Sequence, residues 1–182
     1  MSRLTIPTRD SAPVDSKPLL DAVNKQLGLI PNLFRLMGLS PAVLEGFLSL
    51  STALGRTLDV KTRNRIALAT AEANGCDYCL SAHSYLGAHL ARLDPAEMML
   101  NRQGHSGDAK ANAALVFAAK VARERGRVDD AALDTVRQAG FSDAQLVEII
   151  ANVALNVFTN FLNNAAETDI DFPLVQAASG AA

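Results

Sequence analysis

The chain has 182 residues, of which 49% are hydrophobic and 20% are charged, and its net charge is −2. These values are those of one ordinary globular domain, so disorder throughout the chain is excluded, as is a strong field that would recruit nucleic acid or an anionic membrane. The N-terminal residues lack the apolar core of a signal peptide, and no apolar run reaches membrane-spanning length, so we expect a cytoplasmic protein.

Helical signals follow one another along most of the chain. Residues 1–18 contain three prolines and are predicted to form an extended N-terminal arm. Beyond it, apolar residues at helical spacing, N-cap residues and terminal glycines predict a succession of helices. The predicted helices occupy residues 15–28, a short stretch from 31, 41–55, 60–74, 76–92, a short stretch from 95, 108–125, 129–140 and 142–167.

No segment shows the sustained period-two alternation of a β-strand, and no fixed-period repeat is present. We therefore predict an all-α fold, a single-domain helical bundle of about eight helices in residues 19–172. Residues 173–182 are small and polar, and we expect this C-terminal tail to fray.

The only two cysteines, Cys76 and Cys79, are separated by two residues. A bridge between them closes no useful loop, which excludes a disulfide-stapled secreted scaffold and favours chemistry. Glu72 lies four residues before the pair and His83 four residues after it, so one continuous helix places all four side chains within a sector of roughly 60°. An Asn-Gly step after Glu72 offers an alternative, in which the helix breaks and Cys76 begins a new one. Cys79 and His83 lie together in both arrangements.

These residue types suit a thiol that reacts with peroxide. A helix N-terminus and a neighbouring imidazole both favour the thiolate. A thiolate attacks a peroxide oxygen and becomes a sulfenic acid, which a second thiol condenses into a reducible disulfide. His83 suits proton transfer because its ordinary pKa lies near neutrality, and Glu72 is a candidate to orient or recharge its imidazole.

Each of these residues also has a structural interpretation. A Cys-x-x-Cys pair with a following histidine fits part of a zinc site, although the chain has no second such pair. The two thiols could be inert core side chains, and Glu72 could be an exposed helix residue. Tyr78, between the cysteines, either lines a pocket or packs as a buried aromatic with a hydrogen-bonded hydroxyl.

The segment from Glu72 to His83, EANGCDYCLSAH, resembles the active-site signature of the alkylhydroperoxidase D-like proteins, which belong to the carboxymuconolactone decarboxylase family. The likeness is closest to the peroxidase-related branch and covers nearly the whole chain. Further segments that resemble this branch are residues 30–34, 101–104, 108–110, 117–118, 140–143, 157–160 and 168–173.

The resemblance implies an all-helical fold that assembles as trimers or hexamers. It implies peroxide reduction without haem, flavin, metal or other cofactor, in which Cys79 attacks the peroxide, Cys76 resolves the oxidised thiol and His83 relays protons. The implied partners are a hydroperoxide substrate, a dithiol or lipoyl-type electron donor and further copies of the chain.

One position departs from the family pattern. The proton relay of the family commonly includes a glutamate twelve residues before the first cysteine, where this chain has Asn64. An asparagine can form hydrogen bonds but cannot relay a proton as a carboxylate does. We therefore expect slow peroxidase turnover unless Glu72 replaces the missing carboxylate.

Three functions remain open at this point. A thiol peroxidase or related disulfide oxidoreductase is favoured because Cys76, Cys79 and His83 are all present. A non-redox lyase of the decarboxylase branch would not need two cysteines. A non-catalytic, redox-sensing helical assembly would form the disulfide without turning over, and Asn64 favours this interpretation.

Overall fold

The structure is a computed structural model that describes residues 2–178, so Met1 of the predicted arm and residues 179–182 of the predicted tail lie outside the described residues. Between residues 2 and 178 the chain forms nine α-helices, one short 3-10 helix at Val14–Ser16 and no β-strand, which confirms the predicted all-α fold. The helices are α1 (Lys17–Leu27), α2 (Asn32–Met37), α3 (Pro41–Leu54), α4 (Val60–Ala73), α5 (Asp77–His89), α6 (Pro95–Arg102), α7 (Ala109–Arg123), α8 (Asp130–Gln138) and α9 (Asp143–Ala166).

Short polar side chains fix where many of the helices begin. Each accepts a hydrogen bond from a backbone N–H in the first turn and so satisfies a donor that has no partner within the helix. These N-cap residues are Asp59, Asp94, Asp108, Asp129 and Ser142. Ser142 and Gln145 complete the predicted capping box at the start of α9. Since the predictions rested on these same residues, predicted and observed helix starts agree closely.

Helix α4 lies at the centre of the bundle and packs against α5, α6, α7 and α9. It is buried around most of its circumference from Ile66 to Ala71, as expected for a helix surrounded by others. The largest apolar cluster joins α4 to α7 and α9 and includes the fully buried Phe117. This central position makes α4 a rigid support for the segment that follows it, which contains the two cysteines.

Helix α9 spans 24 residues and has the length and mean hydropathy of a membrane-spanning helix, although no uninterrupted apolar run in the sequence is that long. It packs against α3, α4, α5, α7 and α8, as the core helix of a bundle does, so this likeness is weak evidence for a membrane span. Val147, Ile150 and Phe161 recur at helical spacing on one face and remain exposed. We call these three residues the exposed apolar face of α9.

Residues 174–178 lie along α4 and α5, and we call this segment the C-terminal strap. Its contacts are Val175 N–H to Ser81 Oγ (2.9 Å), Ala177 N–H to Asp77 Oδ1 (2.8 Å), Ala178 N–H to Glu72 Oε1 (2.7 Å) and Arg102 Nη2 to the carbonyl of Gln176 (2.7 Å). The prediction that the tail frays is therefore wrong for these five residues. Their side chains gave no sign of the contacts because the bonds that hold the strap involve its backbone.

The N-terminal arm is also held, because Arg3 N–H donates to the carbonyl of Ala166 at 2.7 Å. The division of the chain at residues 18 and 172 stays a prediction.

Candidate active site

The two cysteines lie at the junction between α4 and α5. Helix α4 ends at Ala73, and Gly75 turns the chain with a φ of 58°, which L-residues with a side chain rarely adopt. Cys76 is the N-cap of α5, and its Sγ accepts the backbone N–H of Cys79 at 3.3 Å. The continuous helix from Glu72 to His83 is therefore wrong, and the broken arrangement is the correct one.

Both thiols are buried, but they face different surroundings. Cys79 lines a cavity of about 550 Å³, whereas Cys76 is not among the lining residues. Cys76 is 0% exposed and belongs to a cluster against which Val175 and Ala177 of the C-terminal strap pack. A small molecule in the cavity consequently meets Cys79, and Cys76 lies behind it.

The environment of Cys79 favours the thiolate. A hydrogen bond from the thiol of Cys76 lowers the pKa of Cys79, and this effect outweighs the burial that opposes it. Asn163 Nδ2 donates to the Cys79 Sγ at 3.3 Å, and Asn160 and Thr159 lower the pKa further. The same hydrogen bond raises the pKa of Cys76, because that thiol must keep its proton to donate it. The arrangement makes Cys79 the more acidic of the two thiols and keeps Cys76 protonated beside it.

His83 lies one turn beyond Cys79 on α5 and lines the same cavity. Its Nδ1 is 3.4 Å from Asn64 Oδ1, and Asn64 Nδ2 donates to the backbone carbonyl of His83 at 3.1 Å. Burial lowers the pKa of His83 to about 4, although a hydrogen bond with Asn156 partly opposes this shift. At neutral pH the imidazole is uncharged, and one ring nitrogen is therefore free to accept a proton.

Asn64 occupies the position where the family pattern has a glutamate, and it is the direct partner of His83. Asn64 can pack this closely against α5 because residue 87 is a glycine. A Cβ atom at Gly87 would lie 2.7 Å from Asn64 Nδ2 and 2.8 Å from Met98 Sδ. Gly87 was not among the residues predicted to form the site. A glycine one turn after His83, inside a helix, was the available signal.

Glu72 does not join the cavity site. It lies in the last turn of α4, where its Oε2 accepts from Arg102 Nε at 2.7 Å and its Oε1 accepts from the backbone N–H of Ala178 at the same distance. The side chains of Glu72 and Arg102 are 14% and 16% exposed. The structure thus brings Cys76, Cys79 and His83 together and gives Glu72 the contacts of an anchor for the strap.

Replacing Glu72 with glutamine tests this assignment. We expect the rate at which hydroperoxide oxidises Cys79 to change by less than about twofold, because the carboxylate contacts neither His83 nor the cavity. We expect faster amide exchange at Ala178 and a lower free energy of unfolding, by about 1–3 kcal/mol, because Arg102, whose side chain is 16% exposed, loses its only carboxylate partner among the described residues. Hydrogen exchange and urea denaturation measure both. A large loss of peroxide reactivity with an unchanged strap would restore Glu72 to the proton relay.

Tyr78 both lines the cavity and packs as a buried aromatic with a hydrogen-bonded hydroxyl, so the two alternatives predicted for it hold together. Its hydroxyl accepts the backbone N–H of Leu33 at 3.1 Å, and its ring packs edge-on against Phe172 with 5.9 Å between the ring centroids. The same side chain lines the cavity beside Cys79. Burial raises the pKa of Tyr78, so its hydroxyl is protonated at neutral pH and serves as a fixed part of the wall.

The cavity is lined mainly by apolar side chains from α1, α2, α3, α4, α5 and α9, with a few polar groups near Cys79. Its volume lies in the range of pockets that hold small organic molecules. Four asparagines of α9 were missed as a group: Asn152, Asn156, Asn160 and Asn163. Their spacing of four, four and three residues places them on one helix face, and this polar stripe on an apolar helix was the signal that indicated a site.

The part of the chain that the structure describes contains no group of three or more His, Cys, Asp or Glu side chains arranged to hold a metal ion.

Comparisons with known proteins agree with the expected resemblance. Residues 41–120 match the model of the carboxymuconolactone decarboxylase family. No curated protein matches the chain. Several solved structures share its fold. The alkylhydroperoxidase AhpD core of a peroxidase-related protein from Ralstonia eutropha is 25% identical, with 93% of this chain and 92% of that chain covered and a TM-score of 0.83.

Two further structures are similar over most of their length. A peroxidase-related protein from a Silicibacter species is 24% identical, with 92% of this chain and 91% of that chain covered and a TM-score of 0.80. The debrominase Bmp8, in complex with 2,3,4-tribromopyrrole, is 23% identical, with 94% of each chain covered and a TM-score of 0.78. These two likenesses establish the shared fold.

Proposed function

We propose that this chain, whose residues 41–120 match the carboxymuconolactone decarboxylase family model, belongs to that family and is a cofactor-free thiol peroxidase that reduces organic hydroperoxides. The observation that carries this proposal is the position of Cys79. Its thiol has a lowered pKa, lines a cavity of organic-molecule size and has the second thiol and a neutral imidazole beside it. The peroxidase-related proteins of the same fold support it.

In the first step, Cys79 attacks the terminal oxygen of the hydroperoxide. A sulfur–oxygen bond forms and the oxygen–oxygen bond breaks, which gives a sulfenic acid and an alkoxide. The proton that leaves the Cys79 thiol is held by the His83 ring and passes to the alkoxide, which departs as an alcohol. The thiol is oxidised by two electrons and the peroxide is reduced by two.

In the second step, the Cys76 thiol attacks the sulfenic sulfur of Cys79. A disulfide forms and the oxygen leaves as water, so no further oxidation of Cys79 takes place. An external dithiol, either a small molecule or a lipoyl group, then reduces the disulfide by exchange. The two buried thiols are separated by only two residues, which suits a bridge that forms and breaks locally.

Asn64 limits the rate of this chemistry. A carboxylate at Nδ1 of His83 would raise the pKa of the imidazole towards neutrality, where a general base works best, but the amide of Asn64 carries no charge to do so. We therefore infer slow turnover compared with a relay that contains a glutamate.

We also propose that the protein is a cytoplasmic homo-oligomer. The resemblance implies trimers or hexamers, and the exposed apolar face of α9 supplies a surface for contact between copies. Val147 and Phe161 on this face are 66% and 58% exposed, which is more than is usual for large apolar side chains in a monomeric protein.

The test of the function is a thiol count in reduced, chelator-treated protein before and after one equivalent of cumene hydroperoxide. We expect both thiols to be lost, a Cys76–Cys79 disulfide in the mass spectrum and one equivalent of cumyl alcohol. Continued peroxide consumption with dithiothreitol then shows turnover.

The other outcomes point to the other candidate functions. Disulfide formation without turnover would favour the redox-sensing assembly. Survival of both thiols would contradict the peroxidase and leave the lyase as the function to test.

A further inference from the structure

The charged side chains that line the cavity are all positive. Among the residues that line the cavity there is no Asp, Glu or Lys, and the only charged side chains are Arg56 and Arg63. The rest of the wall is mostly apolar, apart from Gln26, Ser51 and Thr52 and the polar groups around Cys79 and His83. A ligand that fills this cavity is therefore expected to be apolar along its length and negatively charged at one end.

Neither arginine has a carboxylate partner in the part of the chain that the structure describes. No ion pair within 4.0 Å joins Arg56 or Arg63 to an acid among residues 2–178. Arg63 donates through Nε to the carbonyl of Leu58 at 3.1 Å, and Arg56 donates through Nε to the carbonyl of Thr52 at 3.5 Å. These bonds orient each side chain and leave the two terminal nitrogens of each guanidinium group available to a ligand.

The acidic residue nearest to Arg63 in the sequence, Asp59, already uses both carboxylate oxygens in hydrogen bonds. The carboxylate of Asp59 caps α4, where its Oδ1 accepts Thr62 N–H at 3.0 Å and its Oδ2 accepts the Thr62 hydroxyl at 2.6 Å. Two positive charges thus remain uncompensated at the wall of a largely apolar cavity. Arg56 is exposed and Arg63 is half-buried, and the half-buried charge attracts an anion more strongly than the same charge on an open surface would.

Arg63 precedes Asn64 on α4, and its Nε donates to the carbonyl of Leu58, which comes before α4 begins, so its side chain extends away from the α4–α5 junction that holds the cysteines. Helices α4 and α5 run in opposite directions, because Asn64 contacts His83 whereas Ala71, later on α4, accepts the backbone N–H of Cys76. Arg63 and the preceding residues of α4 therefore lie towards the far end of α5. The cavity follows α5 from Cys79 to Leu90, which is roughly 16 Å along the helix axis.

We propose that the substrate is a hydroperoxide of an amphipathic carboxylic acid, such as a hydroperoxy fatty acid, whose carboxylate binds Arg56 and Arg63 while its peroxide group reaches Cys79. This proposal rests on the proposed function and specifies its substrate class. Guanidinium groups suit it because they bind a carboxylate through two parallel hydrogen bonds. The apolar chain of the acid occupies the cavity wall between the two ends.

The test compares linoleic acid hydroperoxide with its methyl ester, which differs only in the lost charge. We expect kcat/KM to be higher for the acid, on the order of tenfold, because a charge-assisted hydrogen bond contributes about that much. In the double variant Arg56→Gln/Arg63→Gln this acid-to-ester ratio is expected to fall close to one. Arg127→Gln removes the same charge from an exposed position outside the cavity and should keep the ratio of the unchanged protein.

Two measurements separate the failure of this proposal from the failure of the proposed function. If cumene hydroperoxide is reduced but acid and ester react equally, the carboxylate site is wrong and the peroxidase stands. The second measurement is the affinity of Cys79→Ser protein for linoleate and for methyl linoleate, determined by calorimetry. It does not depend on peroxidase activity, because neither ligand carries a peroxide group. Preferential binding of linoleate that the double arginine variant loses supports the site even if no peroxide is consumed, and equal binding of the two overturns it.

Discussion

Replacing Cys79 with serine is expected to slow the oxidation of the protein by hydroperoxide by at least about a thousandfold, because a serine hydroxyl is not ionised near neutral pH and is a poor nucleophile towards peroxide. The thiol of Cys76 remains in this variant, but it is 0% exposed, outside the cavity wall and has a raised pKa. Stopped-flow measurement of peroxide consumption gives the rate, and the melting temperature shows that the variant is folded.

Cys76→Ser is the matched control for this variant. A serine is a good N-cap residue whose hydroxyl can accept the backbone N–H of Cys79 as the Cys76 thiol does, so we expect α5 to form and the first oxidation to proceed. The sulfenic acid at Cys79 then has no thiol to condense with. It should be trapped by dimedone, and excess peroxide should convert it to the sulfinic acid. If Cys76→Ser is inert and Cys79→Ser reacts, the two thiols have the opposite assignments.

The second large effect is expected at His83. His83→Gln removes the group that holds the proton between thiol and alkoxide, and general acid–base groups contribute about a hundredfold or more to such reactions. Glutamine can still form a hydrogen bond to Asn64, so the loss tests proton transfer and not the packing of the site. A stopped-flow rate within about threefold of that of the unchanged protein would exclude His83 from the relay.

The same residue makes the stability of the fold depend on pH. Burial lowers the pKa of His83 from 6.5 to about 4, so the unfolded chain takes up a proton at a higher pH than the folded chain. Above pH 6.5 both states are neutral and His83 has no effect. Between pH 6.5 and 4 the unfolded state binds more protons, and the free energy of unfolding falls.

We expect the contribution of His83 to this fall to be about 2–3 kcal/mol at pH 4.5 relative to pH 7. Urea denaturation at both values, for the unchanged protein and for His83→Gln, isolates it, because the carboxylates titrate alike in the two proteins. Equal losses in both proteins would show that His83 titrates normally in the folded state.

The helices and the reactive pair were accessible from the sequence because their signals are local. An N-cap such as Asp59 needs only a backbone N–H three residues away, and Cys79 and His83 are one helical turn apart in any helix that contains both. A thiolate in the pair was expected from a helix terminus and a neighbouring imidazole, but Asn163, which donates to the Cys79 sulfur, lies 84 residues further along the chain. Local spacing carries no information on such partners.

Glu72 illustrates the limit of helical spacing as an argument. Four residues before Cys76, it suits one face of an unbroken helix, but Gly75 turns the chain and directs it elsewhere. Its partners, Arg102 and Ala178, are each far away in the sequence, and one of them binds through its backbone. The same reason hid the C-terminal strap, since small residues such as Ala177 bind here through amides that every residue carries.

The C-terminal strap gives α5 two unlike sides. Cys79 and His83 line the cavity, whereas Asp77 and Ser81 of the same helix bind the backbone amides of the strap. In the proposed cycle a small dithiol can use the cavity entrance, whereas a folded protein donor is too large to enter the cavity and would approach from the side of the strap. The backbone hydrogen bonds of the strap contribute about 1 kcal/mol each, so we expect small dithiols to reduce the disulfide faster than folded protein donors do.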